Sequence, residues 1–223
     1  MTAHATDYTW FGQHYPVLRE AYCLTEVQGI SAEELLHRFD AVPGGEVTGL
    51  DAAIEAWCAF EDGEDGEDED EEDCGGEEDG GGEGEDDRLF VAVTELDGWA
   101  VAIEPNGYLG CLHEVIARLG AGVRLVSHFR NVNAVDKFHW WEHGIQRLHF
   151  EPLFPDQRNG SDAEAPGIPQ LLADCGFQLE SQEFKLHTEA AFALAERLTD
   201  VRLDPHRLEA ATFRIGYAPH PHP

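Results

Sequence analysis

Positive charge is what this chain has least of. Fourteen Lys and Arg stand against forty-five Asp and Glu, and the formal net charge is −31. Binding to bare nucleic acid rests on Lys and Arg contacts to phosphate, so no direct nucleic-acid binding is expected. Anionic membrane surfaces are disfavoured by the same repulsion. Long apolar runs are missing too. None approaches the roughly 20 residues that cross a bilayer. The five cysteines, Cys23, Cys58, Cys74, Cys111 and Cys175, include no CxxC pair and are odd in number. That usage fits reduced thiols in a cytoplasmic protein better than a disulfide framework. The opening stretch, MTAHATDYTWFGQHYP, has no basic start followed by an apolar segment, so no secretory signal is expected. There is no P-loop, no GxGxxG after a strand, no GxSxG and no HExxH. These absences lean the reading away from an enzyme, and no cofactor is expected.

What the chain does have is one extreme segment. Residues 61 to 87 hold 18 acids, 8 glycines, one cysteine and no apolar anchor. Such a run cannot bury enough surface to offset the entropy of ordering, and it is expected to be a disordered loop. Without it, 27 acids still face 14 bases, so the remainder is acidic in its own right. Cations and basic proteins are the electrostatically sensible partners. Forty-two per cent apolar residues over 223 positions suffice for a real core. A single domain over 1–223 is expected, with 61–87 as an insertion and 217–223, which begins Tyr-Ala-Pro-His, as a disordered tail.

The periodicity changes along the chain. Residues 20 to 27 read as a short strand. Ser31 and Glu34 fit a capping box, with Leu35, Leu36 and Phe39 on one helical face. Pro43-Gly44-Gly45 breaks that helix. Thr48 with Asp51 opens a second helix from Leu50 to about Phe60, carrying Ile54 and Trp57. Residues 89 to 95 and 99 to 104 flank Asp97-Gly98, a hairpin signal. A helix over 111–119 follows, then a strand from Val123 to Phe129. A second hairpin pairs 136–141 with 145–150 around His143-Gly144. Helices are expected over 169–175, over 188–199, and after Asp204-Pro205, where Leu208, Ala211 and Ile215 share a face. The class is α+β: a mainly antiparallel sheet with flanking N-terminal and C-terminal helices.

Two stretches carry a resemblance. One is Glu104-Pro105-Asn106-Gly107-Tyr108-Leu109-Gly110, and the other is Arg130-Asn131-Val132-Asn133-Ala134. With Tyr22-Cys23-Leu24-Thr25 and Thr48-Gly49-Leu50, these are similar to an actinobacterial family of uncharacterised proteins known only as a domain of unknown function. The resemblance covers roughly residues 20 to 150. Members are typically shorter where the acidic run stands, which marks the run as an insertion. The family brings no activity, cofactor or site with it.

The polar residues of those stretches, Glu104, Asn106, Asn131 and Asn133, fall at strand ends beside turns. They fit either local turn chemistry or a small polar pocket at one rim of the sheet. Trp141 faces away from Phe138 and Trp140 by alternation, which makes it either core or an exposed protein contact. His139 and His143 are four residues apart, with His128 on the preceding strand. They are weak metal candidates, because a site needs at least three ligands in close geometry. Glu142 with His128 and His139 would be the alternative, an enzyme or metal site at that hairpin. The expected function is a non-enzymatic protein-interaction module of immunity, inhibitor or adaptor type that binds a basic partner.

Overall fold

The computed structural model describes residues 2–64, 88–179 and 185–221. The acidic run beyond Glu64 lies outside them, as does the end of the chain from residue 222. After a 3-10 turn at Ala5–Tyr8 come α1 (Phe11–His14), α2 (Pro16–Glu20), β1 (Tyr22–Gln28), α3 (Ala32–Arg38), β2 (Val42–Thr48) and α4 (Leu50–Glu64). Then follow β3 (Arg88–Leu96), β4 (Trp99–Pro105), a 3-10 turn at Leu109–Cys111, α5 (His113–Leu119), β5 (Arg124–Arg130), β6 (Asp136–Glu142) and β7 (Ile145–Phe150). The last elements are α6 (Ile168–Cys175), α7 (His187–Thr199), α8 (Pro205–Ala210) and β8 (Thr212–Pro219).

All eight strands form one sheet in the order β2-β8-β3-β4-β1-β5-β6-β7, with every pairing antiparallel. Strands from both sides of the acidic run therefore share one hydrogen-bonded ladder. The β-strand alternation sorts side chains onto two apolar faces. Leu24, Val101, Val126 and Phe138 face the layer built by the N-terminal helices, α4, α6, α7 and α8. Val27, Val93, Ala102 and Leu125 face Leu35 and Leu36 of α3 and Val115, Ile116 and Leu119 of α5. Covering both faces explains why β4 is buried at every position from Trp99 to Pro105. Each fully buried Leu or Phe is worth about 2 kcal/mol relative to exposure.

Four local expectations are corrected. Pro43-Gly44-Gly45 does not end the preceding helix, which stops at Arg38 with Asp40 at φ 57°; the stretch lies within β2, with a bulge between Pro43 and Gly45. An edge strand tolerates Pro, which lacks an N–H, and Gly suits a bulge. Gly44 also has to be glycine, because a Cβ there would lie 2.5 Å from Tyr217 Cε2. The helix after Asp204 is short. Asp204 Oδ1 accepts the Arg207 N–H at 3.0 Å, and the helix stops at Ala210. Ile215 belongs instead to β8, where Phe213 and Ile215 face the core and Arg214 faces out. The disordered tail expected from residue 217 is corrected in the same way, since Tyr217, Ala218 and Pro219 pair with Phe90, Leu89 and Arg88. Finally, α4 runs past Phe60 to Glu64, so the first residues of the acidic run are helical.

Candidate functional site

Register brings the sequence candidates to one end of the sheet. Tyr22 pairs with Pro105 on one side and with Arg130 on the other, and Arg130 sits opposite Asp136. The turns at 106–107 and 131–135 therefore lie at a common rim. Their side chains are engaged locally. Glu104 is fully buried; its Oε2 accepts the Leu109 N–H at 2.7 Å and its Oε1 the Gly110 N–H at 2.9 Å. Burial pushes the Glu104 carboxyl up to about 7, and the backbone donors pull against that shift. Beside it Thr25 Oγ1 and Ser127 Oγ are 3.0 Å apart, and Ser127 donates to the Gly110 carbonyl at 2.7 Å. A Cβ on Gly110 would come within 2.0 Å of Thr25 Oγ1. Glu104 thus anchors the 106–112 loop onto a buried polar patch.

The asparagines follow turn chemistry. Asn106 is exposed with φ 50°. Asn131 Oδ1 accepts the N–H groups of Asn133 and Val135, both at 3.0 Å, and Asn133 is exposed. Trp141 is buried on the α5 face, edge-on to His113 with ring centroids 5.1 Å apart, so it is core and not an exposed contact.

The histidines are not brought together. His128 pairs with Phe138 and His139 with Ser127, so the two imidazoles stand on opposite faces of the sheet. His128 Nδ1 meets the Tyr22 hydroxyl at 2.8 Å, and burial pushes its pKa down to about 3. His139 stacks on His149 with centroids 4.3 Å apart, and burial holds it well below the ordinary histidine value. His143 is exposed and meets the Gly122 carbonyl at 3.0 Å. Glu142 pairs with Arg124 at 2.7 Å and Arg147 at 3.7 Å. The shared site expected from His128, His139 and Glu142 is not assembled. Among the described residues no group of three or more His, Cys, Asp and Glu is placed to hold a metal ion.

A different constellation occupies the rim. Asp136 is 2% exposed, and both of its oxygens accept from Arg130 Nη1, at 3.0 and 3.1 Å. His187, the first residue of α7, brings Nε2 to 2.8 Å from Asp136 Oδ2. The same Nε2 lies 3.0 Å from Arg130 Nη1, so Asp136, Arg130 and His187 meet at one point. His187 Nδ1 is buried without a partner among the described residues. These groups back a cleft of about 390 Å³ lined by Phe11, Gly12, Arg19, Arg130, Lys185, His187 and their neighbours on α7. Arg130 and Asp136 flank a turn-forming stretch and are legible as a cross-strand pair. His187 is 51 positions further on, and nothing in the sequence links it to them.

The fold and this rim define an α+β protein built on one eight-stranded antiparallel sheet with helices on both faces. The chain belongs to a family of unknown function (DUF6461), whose model matches residues 1–222. The match thus takes in the C-terminal helices and β8, beyond the 20–150 stretch that carried the resemblance. No curated protein and no solved structure matches the chain. No helix among the described residues is long and apolar enough to cross a membrane.

Proposed function

We propose that the protein is a cytosolic, non-enzymatic binding module whose partner is a protein with a basic surface. The observation that carries the reading is how its ionisable groups are sorted. Of the buried ones, Glu104, His128, His139 and Asp136 each sit in an internal contact, on different faces or ends of the sheet, and Glu26 lies in the middle of β1. The outer face of α4 presents Asp51, Glu55, Glu61 and Asp62, all exposed and none in an ion pair among the described residues. That face leads directly into the remaining acids of the run. Unpaired surface charge of one sign steers a partner of the other sign and suppresses like-charged ones. The buried free thiols Cys23, Cys111 and Cys175 support a reducing compartment.

The test is affinity capture from cell extract with the full chain and with the triple variant Asp51→Asn, Glu55→Gln, Asp62→Asn. The expected result is a basic partner held at low salt, weakened as salt rises, and lost first by the variant. Capture of nothing above background at either low or physiological salt would overturn the reading.

A further inference from the structure

We propose that the cleft between α1–α2 and the start of α7 binds a compact anion, a phosphate or carboxylate group carried by a small molecule. The proposal does not depend on the acidic face of α4 and concerns the opposite charge. Three of the fourteen cationic side chains in this strongly acidic molecule, Arg19, Arg130 and Lys185, converge on this one cleft. Chance placement on a surface with so few cations does not favour such a cluster. Glu189 is the opposing carboxylate on the rim.

Two of the cationic groups, Arg130 and Arg19, are also held in place. Arg130 Nη1 contacts both oxygens of Asp136 and lies 3.0 Å from His187 Nε2, which ties that end of the guanidinium down and leaves Nε and Nη2 as the donors for a ligand. Asp136 is positioned in turn by β6 pairing and by His187. A buried acid orienting an arginine is how a recognition donor is kept in one geometry. Arg19 lies across Gly12, where a Cβ would stand 2.8 Å from its Cδ, so the glycine leaves room for the stem. The 13-residue α7 points its N-terminus at the same space, and its N-cap, Leu186, provides no side-chain cap. The positive end of the helix adds to Arg19 and Lys185, while the Arg130 charge is balanced by Asp136. A volume of about 390 Å³ falls at the small end of ligand clefts, which run from about 300 to about 1,000 Å³. It suits one anionic group with a short body.

The experiment titrates the full chain with inorganic phosphate and, separately, with succinate, each against chloride at matched ionic strength. Calorimetry gives the affinity, and amide NMR shifts locate the contact. Binding by phosphate but not succinate assigns a phosphoryl ligand, and the reverse assigns a carboxylate ligand. The double variant Arg19→Gln, Lys185→Gln removes two charges from exposed side chains and keeps the Arg130–Asp136 pair. It should weaken binding by about tenfold or more while the variant still unfolds cooperatively. In the wild type, the amides of His187, Thr188 and Glu189 should shift first. If neither anion binds better than chloride, if the shifts lie elsewhere, or if the folded double variant binds equally well, the proposal fails. Should that variant not fold, the wild-type shift map decides alone.

Discussion

Glu26 lies in the middle of β1 with 1% of its surface exposed, and its Oε2 has no partner among the described residues. Burial pushes its carboxyl up to about 8, opposed by a hydrogen bond from Thr199 and reinforced by Glu196. The folded value stands above the unfolded one. The stability this group contributes is therefore complete below the ordinary carboxylate range and is lost as pH rises through about 8. His128 has the opposite sign: its folded value of about 3 lies below the ordinary one, so its contribution holds above about 6.5 and is lost as pH falls through about 3. Glu26→Gln removes the first dependence alone. Urea unfolding of the variant and the wild type should show a difference that grows in the variant's favour between about pH 5 and about pH 8. Each tenfold difference in proton affinity between the folded and unfolded chain corresponds to about 1.4 kcal/mol. A difference that stays flat over that range would mean the carboxyl is charged to the same extent folded and unfolded.

At this scale the sequence was a fair guide to backbone roles and a poor one to side-chain company. Asn106 and Asn131 do what their turns ask of them, because that chemistry is local. His139 meets His149 rather than His128, because one residue of strand register decides the face. The Asp136–His187 contact depends on where α7 docks, and no local pattern encodes that.

Among the elements, β8 carries the lesson. The stretch Thr212 to Pro219 alternates inward Phe213 and Ile215 with outward Arg214, a period of two. Its first residues also fit the helical spacing set up by Leu208, and a short apolar run satisfies both periods. Pro219 and the prolines after it suggest an end of structure, yet a strand accommodates Pro at its last residue. By contrast, the hairpins around Asp97-Gly98 and His143-Gly144 were legible, because their turn residues require positive φ: 51° and 82° in the first, 52° and 81° in the second. The placement of β8 makes it consequential, since it lies between β2 and β3 and pairs with both. Truncation after Ala211 would strip β2 of its strand neighbour among the described residues and expose Phe90 and Ala92. The truncated chain is expected to show no cooperative unfolding transition in denaturant, whereas a sigmoidal transition would show that the sheet closes without its last strand.

For the whole molecule, the question is what the acidic run does to stability. The residues between Glu64 and Arg88 contribute 15 of the 45 acids, and removing them takes the formal charge from −31 to −16. Like charges repel one another, so the run works against compactness at low salt and less so as salt screens it. Its length matters little by itself, because closing a loop costs only about 0.6 kcal/mol more for each doubling. Strands on both sides of it pair through β8; β3 belongs to that shared sheet and α4 packs on it. Replacing residues 65 to 87 with a six-residue Gly-Ser linker is therefore expected to leave the fold in place. Its unfolding free energy at low salt should equal or exceed that of the full chain by about 1 kcal/mol. The rise in stability from low to physiological salt should shrink in the replacement variant, because fewer repelling charges remain to be screened. Urea unfolding at two salt concentrations measures both quantities. A loss of several kcal/mol on replacement would show instead that the run packs on the folded core, and the acidic face of α4 would then have to be read as part of a larger ordered surface.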